Sequence, residues 1–235
     1  VLEGSASAIT RRLLVSDNDY KAATRLFAEA SAMEKHKLQT DSLLDGKVNL
    51  CQPANGYRAA IDPVLLASAT PEVRGRVLDV GAGVGAAALC YATRVPGACL
   101  TGLELQSELS AIAEENAIRN DLVDKVTFVQ GDLLRPPETI VQSSFDHVMT
   151  NPPYLPPDRG QAPPDPSKAI AMIEGEADLS AWIEFCIAMV KPKGSITMVH
   201  RADRLDELLA LFLDRVGGSV VAPVWPGGNS PAKRV

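Results

Sequence analysis

Asn151-Pro152-Pro153-Tyr154 is the stretch of this 235-residue chain whose residue types and spacing point most directly to a reaction. An amine bonded to an aromatic ring or a carbonyl is a poor nucleophile, because its lone pair is delocalised. A side-chain amide oxygen and a backbone carbonyl set side by side can accept its two N–H protons. That draws the nitrogen toward tetrahedral geometry and frees the lone pair to attack an electrophilic methyl carbon. Asn151 supplies the first acceptor and the Pro152 carbonyl the second. The two prolines stiffen the turn, so the arrangement is organised before a ligand arrives. Tyr154 adds a ring face on which a planar base can stack. No general base is required, because the proton of the product is acidic enough to pass to water.

A second group of residues points to a nucleoside-bearing ligand. Arg76-Val-Leu-Asp79-Val-Gly81-Ala-Gly83-Val-Gly85 reads as a buried strand entering a glycine turn and then a helix. Glycines there let the chain turn tightly and let a ligand approach amides at a helix start. Glu104 closes the next strand, LTGLEL, where a carboxylate can accept hydrogen bonds from a ribose diol. Gly131-Asp132 ends the third strand, and an aspartate there can accept from an adenine amino group. Asp79 can orient a ligand amine or bond loop amides. Gly81-x-Gly83-x-x-Ala86 also satisfies the loose dinucleotide pattern, so a nicotinamide or flavin enzyme stays open at this point. No GxxxxGK[ST] is present, which excludes a P-loop.

These residues need a sheet to bring them together. From Arg76 the pattern alternates between strand and helix. Strands read as 77–80, 99–105, 125–130, 145–150, 195–200 and 219–225, and helices as 84–94, 107–120, 178–190 and 203–215. The expected fold is α/β, a doubly wound Rossmann-like sheet of about seven strands, with ligands at the carboxyl ends of the strands. The expected division is an N-terminal helical extension over 1–47, without strand alternation, and a catalytic domain over 48–235. Tyr20–Ala32 reads as an amphipathic helix. KVNLCQPANGYRAAI reads as hairpin-like, with Asn55-Gly56 as its turn. Asp62-Pro63 reads as a helix start, with Asp as cap and Pro in the first turn. KPKG over 191–194 reads as a turn between a helix and the fifth strand. In residues 152–166, seven of fifteen are proline, so that stretch reads as a long loop. The chain begins at Val1 and stops after PAKRV, which can open a seventh strand; further residues are expected beyond both ends.

Composition narrows the function classes. The net charge is −6, which argues against polyanion binding over the whole surface. The first 60 residues carry 8 basic against 7 acidic side chains, so any basic bias lies at the N-terminal end. Four cysteines without CxxC spacing and three scattered histidines argue against a structural zinc site or a disulfide framework, and for reduced cytoplasmic thiols. No metal is expected. No apolar run is long enough for a membrane span and no signal peptide is visible. His147 and Trp182 read as core and His200 as core or capping. Lys191, Lys193, Arg201 and Arg204 read as solvated charges that can line a phosphate path.

Taken together, LDVGAGVG, Glu104, Gly131-Asp132, NPPY and the helix–KPKG–strand passage resemble the class I S-adenosylmethionine-dependent methyltransferases over about residues 48–225. The resemblance implies that Asp79, Gly81, Gly83 and Gly85 hold the methionine part of S-adenosylmethionine. It places Glu104 on the ribose, Gly131 and Asp132 at the adenine, and Asn151, Pro152 and Tyr154 at the acceptor nitrogen. Gln52–Ala69, QPANGYRAAIDPVLLASA, looks like the N-terminal motif of bacterial tRNA adenine-N6 methyltransferases acting on valine tRNA. There the stretch lies over the cofactor, which makes Tyr57, Arg58 and Asp62 pocket residues. The expected acceptor is therefore adenine N6 in tRNA. NPPY also resembles the release-factor glutamine methyltransferases, so a protein glutamine acceptor is the alternative. A small-molecule acceptor, oxygen included, would need a base near the hydroxyl that the sequence does not identify. A non-catalytic binding module is the reading from another class.

Overall fold

The computed structural model describes residues 38–54, 58–154, 175–228 and 230–235. The expected helix over 20–32, the Asn55-Gly56 turn, Tyr57 and the proline-rich stretch beyond Tyr154 lie outside the described residues. The chain divides into units Val1–Leu38 and Gln39–Val235.

In the second unit, five strands form one parallel sheet: β3 (Arg76–Val80), β4 (Cys99–Glu104), β5 (Val126–Gln130), β6 (Phe145–Thr150) and β7 (Val190–Met198), in the order β5-β4-β3-β6-β7. The order reverses direction at β3, where β4 lies on one side and β6 on the other. Ligands of open α/β sheets bind at such a reversal. Helices α2 (Ala86–Arg94) and α3 (Ser107–Arg119) cover one face of the sheet. Helix α4 (Leu179–Met189) covers the other, with α5 (Leu205–Phe212) against its far side. The central strands are apolar throughout, since both faces are buried: Val77, Leu78, Val80, Val148 and Met149 are all fully enclosed.

Several elements differ from the sequence expectation. The parallel sheet has five strands among the described residues rather than about seven. Residues 219–225 form no strand and make a single antiparallel bridge, Val224 to Arg234. Val220 is 97% exposed, and Pro223 and Pro226 remove donors on either side, so this segment has neither a face to bury nor a full ladder to offer. KPKG is not a turn ahead of a strand. Helix α4 ends at Met189 and β7 starts at once. Phe145 pairs with Val190 and His147 with Ser195, so residues 191–194 bulge out opposite Asp146. Lys193 adopts φ 67°, and Lys191 Nζ grips both Asp146 oxygens at 2.8 and 2.9 Å.

A strand also lies where none was expected. β1 (Leu38–Leu43) pairs with β2 (Val48–Pro53) through a turn at Leu44, Asp45 and Gly46, all at positive φ. Its sequence, LQTDSL, is polar on most positions and shows no alternation. β2 is held by α3 in an uncommon way. Asn116 Oδ1 accepts from the Cys51 amide at 2.7 Å, and its Nδ2 donates to the Cys51 carbonyl at 2.8 Å and the Val84 carbonyl at 3.0 Å. Asn120 repeats the exchange with both backbone groups of Asn49, each at 2.8 Å.

Helix α1 (Asp62–Ala69) begins one residue after Ile61, and Pro63 occupies its first turn as expected. Asp62 does not cap it: no side-chain cap is made, because the Asp62 carboxylate is taken by Arg234.

Candidate functional site

The carboxyl ends of β3 and β6 are in register, with Asp79 opposite Met149 and Val80 opposite Thr150. The residues that follow each strand therefore emerge side by side. The Gly81 and Ala82 amides both donate to the Leu103 carbonyl, at 2.8 and 3.0 Å, which folds the loop back over β4. Gly81 has φ 72°, and a Cβ there would lie 2.5 Å from Trp182 Cη2. Gly85 has φ 84° at the start of α2, and a Cβ would meet the Phe128 ring at 2.6 Å. Both positions require glycine twice over, for backbone conformation and for space. Gly83 also has positive φ, 57°.

Asp79, Gly81 and Asn151 line one cavity, together with Ala59, Pro63 and Ala87. This brings the strand-end aspartate, the glycine loop and the NPPY asparagine to a single place. Asp79 Oδ2 is buried and has no hydrogen-bond partner. Burial pushes its carboxyl up to about 7, and the nearby Glu104 adds to the shift. The Ala88 amide partly offsets that shift, and a buried carboxylate with one oxygen unpartnered beside a cavity favours a cationic ligand group.

Glu104 is buried at the end of β4. Its Oε2 accepts from the Gly83 amide and its Oε1 from the Gln106 amide, each at 2.8 Å. Burial raises its carboxyl, and those two amides oppose the shift. Each carboxylate oxygen has a second lone pair, so the group can brace the glycine loop and still accept from a hydroxyl.

Asn151 is adjacent to Tyr154 in space. The Tyr154 hydroxyl reaches both Asn151 Oδ1 and Asp62 Oδ2, the latter at 3.0 Å. Pro152 is buried beside them. Two expected pocket residues are engaged by neighbouring side chains or amides. Arg58 pairs with Asp41 at 2.7 Å and lines a separate groove with Asp41 and Gln52, beside the β1–β2 hairpin. Asp132 accepts from the Leu134 amide at 2.9 Å and pairs with Arg135 at 3.1 Å, so both its oxygens already have partners. Gly131 donates to the Glu104 carbonyl at 2.8 Å, which keeps the ends of β4 and β5 level.

The sequence reading missed Trp182 as the wall behind Gly81, and Arg234 as the partner of Asp62. Trp182 stands on a helix with an apolar pattern and gives no local sign of its neighbour. Arg234 lies 172 residues from Asp62 and no spacing rule could join them. His200, 0% exposed, meets the Tyr154 ring edge-on with centroids 5.4 Å apart. Burial holds its imidazole down to about 4. Lys191, Arg201 and Arg204 are paired with Asp146, Asp203 and Glu207 rather than presented as a row of free cations. No group of three or more metal-ligating side chains occurs among the described residues.

Residues 60–162 match the family model of the methyltransferase small domain. Over 159 residues it is 30% identical to the tRNA1(Val) (adenine(37)-N6)-methyltransferase of Aeromonas hydrophila, covering 67% of this chain and 65% of that protein. Over 129 residues it is 39% identical to the release factor glutamine methyltransferase of Deinococcus radiodurans, covering 52% of this chain and 44% of that one. The chain thus spans just under two thirds of the first relative's length and under half of the second's. The crystal structure of a predicted O-methyltransferase from Agrobacterium tumefaciens superposes with a TM-score of 0.58 at 23% identity, over 74% of this chain and 77% of that one. The two share the fold, and the doubly wound α/β expectation is met. Among the described residues no helix is long and apolar enough to cross a membrane.

Proposed function

We propose that this domain transfers the methyl group of S-adenosylmethionine to a planar exocyclic nitrogen, and that the acceptor is adenine N6 in a tRNA. The observation that carries the reading is the meeting of Asp79, Gly81 and Asn151 around one cavity at the sheet's reversal point. The cavity suits the cofactor on this molecule's own chemistry. Its wall holds an orphaned buried carboxylate at Asp79, matched to a cationic amine, and a glycine turn that no Cβ could occupy. Asp79 and Gly81 to Gly85 would hold the amino-acid part and Glu104 the ribose, with Gly131 and Asp132 at the adenine end. S-adenosylmethionine, when bound, supplies an electrophilic methyl carbon on sulfur.

The residues of the chain do the rest. Asn151 Oδ1 and the Pro152 carbonyl accept the two N–H protons of the acceptor and turn its lone pair toward the methyl. Tyr154 offers a ring face to the base. Desolvation by Pro63 and Ala59 strengthens these hydrogen bonds. Similarity to the tRNA enzymes supports the RNA acceptor, and a tRNA acceptor supports a cytoplasmic location. Tyr57 and Arg58 belong to the stretch that resembles those enzymes; Arg58, paired with Asp41, would act from the neighbouring groove.

The 39% identity to a release factor glutamine methyltransferase supports a second reading, with a glutamine side-chain amide as the planar nitrogen. One experiment separates the two. Purified protein and tritiated S-adenosylmethionine are added to an extract of the source organism lacking the gene, and portions are treated with RNase or protease. Label lost to RNase supports tRNA, and nucleoside mass spectrometry should then show N6-methyladenosine. Label lost only to protease moves the acceptor to glutamine. Asn151→Ala should abolish transfer, by a hundredfold or more, while S-adenosylhomocysteine still binds. Normal transfer by that variant would end the mechanism.

A further inference from the structure

Tyr154 is held from several sides. The Arg234 guanidinium lies over its ring, 4.7 Å from the centroid. His200 abuts its edge at an interplanar angle of 87°. Arg204 Nη1 donates to its carbonyl at 3.3 Å. Arg234 also forks onto Asp62, with Nε to Oδ1 and Nη2 to Oδ2 both at 3.0 Å. The pair is largely enclosed, the side chains being 29% and 15% exposed. The tyrosine hydroxyl has one proton but two acceptors in reach, Asn151 Oδ1 and Asp62 Oδ2. When the hydroxyl bonds Asn151, it takes one of the two lone pairs on the oxygen that an acceptor amine would use.

We propose that Asp62 and Arg234 form a positioning pair for the acceptor side of the site. Arg234 covers one face of Tyr154 and fixes the plane of the ring. Asp62 receives the Tyr154 hydroxyl when the acceptor's N–H takes the Asn151 oxygen. The exchange keeps every partner satisfied: one hydrogen bond to Asn151 replaces another, and the displaced hydroxyl turns to a carboxylate already fixed by Arg234. Without Asp62 the hydroxyl would lose its carboxylate acceptor, and entry of the acceptor would then compete with its bond to Asn151. This inference rests on the methyl-transfer reading and assigns Asp62 to the acceptor rather than to the cofactor.

The side chain of Arg234 can be cut back without touching its main-chain bridge. The bridge consists of the Val224 amide donating to the Arg234 carbonyl at 2.8 Å and Lys233 donating to Val224 at 2.9 Å. Arg234→Ala, Arg234→Lys and Asp62→Ala would be compared with the wild type in three measurements: thermal melting, S-adenosylhomocysteine affinity by calorimetry, and tritium transfer to an unmodified valine tRNA transcript at varied RNA concentration. Arg234→Ala and Asp62→Ala should each lose about tenfold in kcat/KM for RNA, with S-adenosylhomocysteine affinity held within about twofold. Arg234→Lys should recover only part, since an ammonium keeps the charge but loses the fork and the stacking. In a Tyr154→Ala background, Arg234→Ala should add little. A fall in S-adenosylhomocysteine affinity in step with turnover would overturn the proposal, as would an equally large loss in the Tyr154→Ala background. A wild-type chain that labels neither RNA nor protein would overturn the methyl-transfer reading and this inference with it. An active wild type with an unchanged Arg234→Ala would overturn the positioning pair alone.

Discussion

Asp79→Asn should make the ligand-free protein more stable and the ligand-binding protein worse. The Asp79 carboxyl is buried, its Oδ2 lacks a partner, and burial moves it from an ordinary 3.8 to about 7. A shift of about three units corresponds to roughly 4 kcal/mol at 1.36 kcal/mol per unit, an upper figure for what the charge costs the fold above neutrality. The sign follows from proton uptake. Between pH 4 and 7 the native state holds a proton on Asp79 that the unfolded chain has lost, so stability falls as pH rises through this window and the cost is complete above about 7. Asparagine keeps the shape and removes the charge. At pH 8 the variant should melt several degrees above wild type, taking about 2–4 °C per kcal/mol for a chain of this size. The gap should narrow on titration from pH 8 toward pH 4. Buried histidines do not confuse the comparison, because both proteins contain them. Calorimetric titration with S-adenosylhomocysteine should show the opposite preference, with affinity down tenfold or more if Asp79 meets the ligand's amine. Scanning calorimetry across pH 4–8 decides the first half. A gap that does not change with pH, or a variant that melts lower at pH 8, would refute the idea that Asp79 is a strained charge awaiting a cation.

Gly81→Ala combines a left-handed backbone cost with a contact at 2.5 Å to Trp182, so a loss of about 2–4 kcal/mol is expected, read by denaturant unfolding. Wild-type stability would count against the loop geometry. Asn116→Ala strands the Cys51 amide and carbonyl and the Val84 carbonyl, and should cost about 3 kcal/mol or more and expose Cys51 to thiol reagents. Unchanged labelling of Cys51 would show that the hairpin holds by other means. His147 is 0% exposed and burial keeps its imidazole down to about 4, so stability from the neutral ring is present above pH 6.5 and lost as pH falls toward 4. His147→Gln, which can still reach Ser195, should flatten that acid limb; an unaltered limb would place its origin elsewhere.

How far the sequence could be read depended on how local each signal was. The Gly81–Gly85 loop, Glu104 and NPPY are carried by short runs, and the parallel register of β3 with β4 and β6 delivers them to one edge of the sheet. Helix α4 and the strands of the sheet core were legible because burial on both faces writes continuous apolar runs. The β1 strand was not, since LQTDSL alternates no hydrophobicity and is anchored by hydrogen bonds such as Gln52 to Asp41 at 2.6 Å. Segment 219–225 has β-branched residues but pairs only through the Val224–Arg234 bridge, and composition cannot report how little of a neighbour a segment meets. Asp62 was misread as a helix cap for a related reason: its true partner arrives from Arg234 at the other end of the chain. Asn116 and Asn120 carried a faint sign, two poor helix formers in the last turn of α3 and just past its end, which makes sense only once β2 is seen beside them.

That pairing has a geometric consequence. Four residues of α-helix advance about 6 Å and two residues of strand about 6.6 Å, so two carboxamides spaced four apart can each meet one backbone pair of a strand. A third pair would fall out of step by more than 1 Å, so the match is limited to Asn49 and Cys51. Helix α3 thereby works as a ruler laid along β2. If β2 slid by one residue, Val48 and Leu50 would turn to water and both asparagines would face the wrong peptide groups. The same two side chains close an edge that would otherwise be open to a foreign strand. A short polar hairpin, too weak to choose its own alignment, takes that alignment from a helix.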